Sequence, residues 1–144
     1  MVGDGPDRAR IERRCKELDM LSDVRFLGKL DAIEEVLSVA DLFLMPSESE
    51  SFGLAALEAL ACEVPLITSN AGGLPELNIP GVTGFLSNVG DVDDMVKNAA
   101  FILKDENLPT FKANALARAK EFDVAKILPA YEAFYEKIIA ESKP

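Results

Sequence analysis

The sequence predicts an α/β fold: a Rossmann-like parallel sheet with flanking helices and a helical C-terminal third. Two runs, "DLFLMP" and "VPLITS", are nearly all apolar, as strands buried on both faces of a parallel sheet are. Strand-length apolar runs alternate with helical periodicity up to about Asp91, and beyond it only helical patterns remain. A chain of 144 residues matches one domain over 1–144.

Taken in order, "MVGDGPDRAR" reads as the end of a strand, a glycine-rich turn and a helix start, with Pro6 near the first helical position. Only Met1 and Val2 stand for that strand, so further chain upstream is expected. A helix is expected over 7–18, a strand over 24–27 ending in "RFLGK", and a helix over 32–39. "DLFLM" makes a strand of 41–45, and "GLAALEALAC" a helix of 53–62. A strand over 64–69 leads into the glycine pair Gly72-Gly73, where Pro75-Glu76 start a short helix. "GVTGFL" is a turn into a last strand over 84–87. Three helices follow, over 92–104, 108–121 and 124–140. In the last, Ile127, Tyr131, Phe134, Tyr135 and Ile138 form an apolar stripe at helical spacing, expected to pack. Pro129 should kink that helix or displace its start.

Composition excludes several classes of function. With 49% hydrophobic residues the chain can build a core without disulfides or metals. A net charge of -10 argues against unaided binding to nucleic acid or an anionic membrane, which need clustered Lys and Arg. The absence of histidine removes Ser-His and Cys-His nucleophile pairs and disfavours a zinc site, so no metal is expected. Cys15 and Cys62 are far apart, consistent with reduced thiols in a cytoplasmic protein. No apolar run approaches a membrane span.

Three stretches carry chemistry. "GDGPDR" could bring backbone near a phosphate at a helix N-terminus, but Arg8 stands where a dinucleotide fingerprint needs a third Gly or Ala. A structural turn is the better reading there. Glu50 and Glu58 bracket "SFGLAAL", which should open a helix just past a strand ending at Met45-Pro46. By themselves they could be a dipole-complementing loop residue and a solvated helical charge. Their position places free backbone N–H groups at the carboxyl end of a parallel strand, where open α/β sheets bind ligands. Ionised carboxylates are pure acceptors and suit sugar hydroxyl pairs, so the spacing permits a nucleotide-sugar. Gly72-Gly73 lie at the same edge, where paired glycines allow close backbone approach to a ligand or simply a plain turn.

Together, "VGDGP", "VRFLGK", "ADLFLMPSESESFGLAALEALACEVP", "AGGLPE" and "GVTGFL" resemble the C-terminal domain of retaining glycosyltransferases of family 4, which have the GT-B fold. The resemblance covers Val2 to about Asp91, and the helical tail is compatible with it. It implies a single, partial nucleotide-sugar-binding domain. Glu50 would contact the donor sugar and assist catalysis, the amides of Phe52, Gly53 and Leu54 would face sugar and diphosphate, and Glu58 would hold the ribose hydroxyls. Backbone around Leu27-Gly28 would frame the base, with Gly72-Gly73 completing the donor side. "GKLD", "SESESFGL" and "LKDENL" are most similar to members that join N-acetylglucosamine from UDP to L-malate in bacillithiol synthesis. A UDP-sugar is then a substrate and no cofactor is implied.

Two departures bear on activity. Glu63 stands where the family has glycine, at an expected helix C-terminus, with a modest local cost. The family's basic pair for the diphosphate, and its acceptor-binding N-terminal domain, precede the stretch matched here. The resemblance therefore implies a chain inactive alone, needing that domain or a second chain to complete its sheet, or forming a homo-oligomer. A plain nucleotide-binding Rossmann domain and a non-catalytic oligomerising module are the alternatives.

Overall fold

A computed structural model describes residues 1–141, which fall into two compact units, Met1–Ile33 and a second beginning at Glu34. In the first unit, Gly3 (φ +107°) turns the chain into α1, Arg8–Glu17. Its exposed face carries short-range ion pairs, Arg8–Glu12 at 2.9 Å and Arg14–Glu17 at 3.1 Å. The helix ends where Asp19 (φ +57°) donates its amide to the Lys16 carbonyl and Met20 donates to Cys15.

The strand expected over 24–27 does not form. Its segment meets Val2 at one parallel bridge through Gly28, with Leu27 N–H donating to Met1 and Gly3 N–H to Gly28. Gly28 then turns away with φ +70°.

The second unit holds most of α2 (Ile33–Leu37) and a parallel sheet of β1 (Phe43–Met45), β2 (Leu66–Ser69) and β3 (Gly84–Ser87), ordered β1-β2-β3. Register runs Phe43 with Leu66 and Ile67 with Phe85. All four residues of β2 are buried, which is why its sequence lacks polar alternation. β3 matches its expected bounds, whereas β1 and β2 each begin two residues later than expected. β2 pairs only as far as the four residues of β3 reach.

α3 (Leu54–Ala61) connects β1 to β2, and the four-residue α4 (Leu74–Leu77) lies between β2 and β3. α5 (Val92–Ile102) starts at Asp91, whose carboxylate accepts from Asp94 N–H at 3.0 Å. It stops short of the expected residue 104, and Asn107 donates its side-chain amide to the Phe101 carbonyl at 2.8 Å. α6 (Leu108–Ala119) passes into a 3-10 turn, Lys120–Phe122, where helix was expected to run to 121. One core cluster joins Ile67 of β2 to Ile102 and Phe111, with Phe85, Met95 and Leu108 around it. Ala56, Ala59 and Leu60 of α3 are fully buried, as is Ala115 of α6.

α7 (Val124–Glu141) begins at Val124 and carries Pro129 inside it, so the proline does not displace the start. The stripe expected to pack is not packed: α7 buries none of its residues, and Tyr131, Phe134 and Tyr135 are each more than half exposed. Its apolar periodicity was correctly legible, but periodicity does not reveal whether a covering surface belongs to the same unit.

Candidate functional site

The residues that follow β1 and β2 pack against each other through backbone. Ser69, the last residue of β2, donates its hydroxyl to the Ser47 carbonyl. Gly73 N–H donates to the Glu50 carbonyl at 3.1 Å. Gly72 has φ +53°, and a Cβ there would overlap the Glu50 carbonyl oxygen. A Cβ at Gly73 would stand 2.6 Å from the Ser51 oxygen. Two adjacent glycines are therefore required by contact, beyond any freedom of turn.

Glu50 is half-buried in this first loop, and Phe52 is half-buried beside it. Gly53 (φ +94°) makes the sharp entry into α3, and its carbonyl accepts from both Ala56 and Leu57. No side chain caps α3, and the Leu54 and Ala55 amides donate to no acceptor among the described residues. These are the donors a helix N-terminus leaves open, in the positive end of its dipole. Leu54 is exposed, as is Glu58 on the next turn of the same helix. Neither Glu50 nor Glu58 forms an ion pair among the described residues. The arrangement offers backbone donors beside two uncompensated carboxylates.

Of the residues singled out from sequence, Glu50, Phe52, Gly53, Leu54, Gly72 and Gly73 thus come together in one backbone-packed assembly, with Glu58 on the helix it opens. Leu27 and Gly28 belong to the first unit, where Leu27 is exposed and Gly28 forms the bridge to Val2. There the Arg8 guanidinium is engaged by Glu12 at 2.9 Å and by Asp4 at 3.9 Å.

Sequence reasoning missed what holds α4. Asn78, fully buried after it, donates to Thr68 Oγ1 at 3.0 Å and to the Phe85 carbonyl at 2.8 Å. Thr83 Oγ1 donates to Asn78 Oδ1 at 3.1 Å, and Ile79 N–H donates to the same hydroxyl at 2.7 Å. Arg118 of α6 donates through Nη2 to the Glu76 carbonyl and through Nε to that of Leu77 at 3.4 Å. Its guanidinium lies 4.9 Å from the Phe122 ring centre, and Phe122 meets Phe52 edge-on at 6.0 Å. A lone Asn between apolar residues was a possible signal for the first network. Nothing local marks Arg118.

Comparison with known proteins gives a consistent result. The family model described as "Glycosyl transferases group 1" matches residues 1–120. The N-acetyl-alpha-D-glucosaminyl L-malate synthase of Bacillus anthracis is 42% identical over 99% of this chain and 38% of its own length. The sulfoquinovosyl transferase SQD2 of Arabidopsis thaliana is 38% identical over 72% of this chain and 21% of its own. Among solved structures, Anabaena Alr3699/HepE in complex with UDP superposes with a TM-score of 0.86 at 28% identity, over 94% of this chain and 40% of that one. The sucrose-phosphate synthase of Thermosynechococcus elongatus gives 0.85 at 32% identity, over 98% and 38%. The chain thus spans well under half the length of these relatives.

Proposed function

This chain belongs to the group 1 glycosyl transferases, and from that premise we propose that it forms the donor-binding half of an enzyme that transfers a sugar from a nucleotide with retention of configuration. The observation that carries the reading is the backbone assembly of Glu50–Leu54 against Gly72-Gly73, with open amides at the start of α3. A diphosphate and the sugar attached to it need N–H donors, and those of Phe52, Gly53 and Leu54 supply them. Glu50 faces the donor sugar, and Glu58 accepts from the ribose hydroxyls. The UDP complex of the Anabaena relative supports UDP as the nucleotide.

The finer reading is transfer of N-acetylglucosamine from UDP to a small hydroxy acid such as L-malate, supported by the Bacillus anthracis relative at 42% identity. The acceptor side and the basic groups for the diphosphate come from a further domain or a second chain, within the cytoplasm. Alone, the chain has no turnover and at most weak UDP affinity. Isothermal titration tests the second point, and nanomolar UDP binding by these 144 residues would overturn it. In a protein extended to the relatives' length, Glu50→Gln should lower kcat by about a hundredfold or more. Glu58→Ala should mainly raise KM for the donor. Near-unchanged kinetics for both would remove the site assignment.

A further inference from the structure

The loops after β1 and β2 hold each other through Gly73 and Glu50, and two routes from α6 also converge on them. The first runs through aromatic contact: Arg118 stacks on Phe122, and Phe122 meets Phe52 within the Glu50–Gly53 loop. The second runs through α4: Arg118 donates to the carbonyls of Glu76 and Leu77 at its C-terminal end. The N-terminal end of that helix is Gly73, which donates to the Glu50 carbonyl at 3.1 Å. A four-residue helix is too short to hold its own shape, so its last carbonyls need an outside donor. Leu74 and Leu77 are fully buried and pack against the Gly53 position, so α4 also sets the entry to α3.

From these contacts we infer that Arg118 is a positioning residue for the donor loop, acting on Glu50–Leu54 through Phe122 and through α4 at once. The inference rests on the reading of that loop as the donor site. Only an arginine fits both tasks. Its planar fork serves two carbonyls while its face lies on a ring, whereas a lysine ammonium is a point donor without a face. Glu121 pairs with the remaining edge of the guanidinium, keeping it from turning toward solvent.

Amide hydrogen exchange by NMR on the 144-residue chain tests this directly. Arg118→Ala should speed exchange of the Gly73, Ala56 and Leu57 amides about tenfold. The Leu66 amide, bonded to Thr83 in the β2–β3 ladder, should keep its rate. Arg118→Lys should behave like Arg118→Ala, Phe122→Leu should affect Ala56 and Leu57 more than Gly73, and Phe122→Tyr should preserve wild-type rates. A loss of protection equal at Leu66 and Gly73 would mean a merely structural arginine and would overturn the inference, as would unchanged rates at Gly73. If Arg118→Ala does not fold, the Phe122→Leu and Phe122→Tyr pair decides. Millimolar UDP is then added to a protein extended to the relatives' length. Absence of shifts at the Phe52–Leu54 amides there counts against the donor-site reading itself, while the exchange data still decide the coupling.

Discussion

Glu63 holds a backbone conformation that costs a side chain. Its φ of +63° is left-handed, its amide donates to Leu60, and Val64 donates to Ala59, the paired bonds that close α3. Glycine adopts this conformation without the clash of Cβ and carbonyl, worth about 1 kcal/mol. Glu63→Gly should therefore raise the melting temperature by about 3 °C, read by thermal unfolding, with no change in UDP-induced shifts. Gly72 presents the opposite case. Gly72→Ala places a methyl on the Glu50 carbonyl oxygen and should destabilise by about 2–4 kcal/mol, seen as a lower denaturation midpoint. Gly72 was legible in sequence as one of a glycine pair, whereas Glu63 stood out only through the family resemblance, which has glycine there. Arg118 was not legible, since its partners at Glu76 and Leu77 lie about forty residues back in the chain.

At the scale of elements, β2 was readable because it is covered on both faces and so carries no polar alternation, whereas β1, expected to be buried likewise, buries none of its residues and exposes Leu44. The segment 24–27 is three-quarters apolar but carries Arg25, and it forms a single bridge through Gly28. Composition sets the preference for extended chain, and pairing with a neighbouring strand sets whether a ladder forms. Helix ends followed local chemistry where a cap was present. Asp91 caps α5 through the Asp94 amide, and Ser87 and Asn98 both donate to the Asp94 carboxylate, at 2.7 and 3.0 Å. Asp91→Ala should cost about 1 kcal/mol and shorten α5 from its first turn, measured as faster exchange of the Asp94 and Met95 amides.

At the scale of the molecule, a strongly acidic chain carries apolar surface that its own fold leaves in water. β1 has a partner on one side only within its unit and exposes Leu44, while α7 exposes Tyr131, Phe134 and Tyr135. Unpaired strand edges and apolar stripes of this kind recruit other surfaces. The net charge of -10 opposes self-association at low ionic strength, and salt screens that repulsion. Sedimentation velocity should show species above 15.6 kDa that grow with protein concentration and with salt. The double substitution Tyr131→Glu and Phe134→Glu should return the chain to a monomer. A monomer at all concentrations before substitution would show that these surfaces tolerate water. Among the described residues no helix is long and apolar enough to cross a membrane.

The contact between Gly72 and Glu50 also constrains anyone who would re-engineer the cleft. Residues 22 apart in the chain share a backbone interface with no room for a methyl group, so neither loop is an independent module. A chimera that imports only the segment from Ser47 to Gly53 brings a carbonyl path shaped for a different glycine pair. Under the proposed donor-site reading, donor preference transfers between relatives only when both loops, with α4 behind them, move as one cassette.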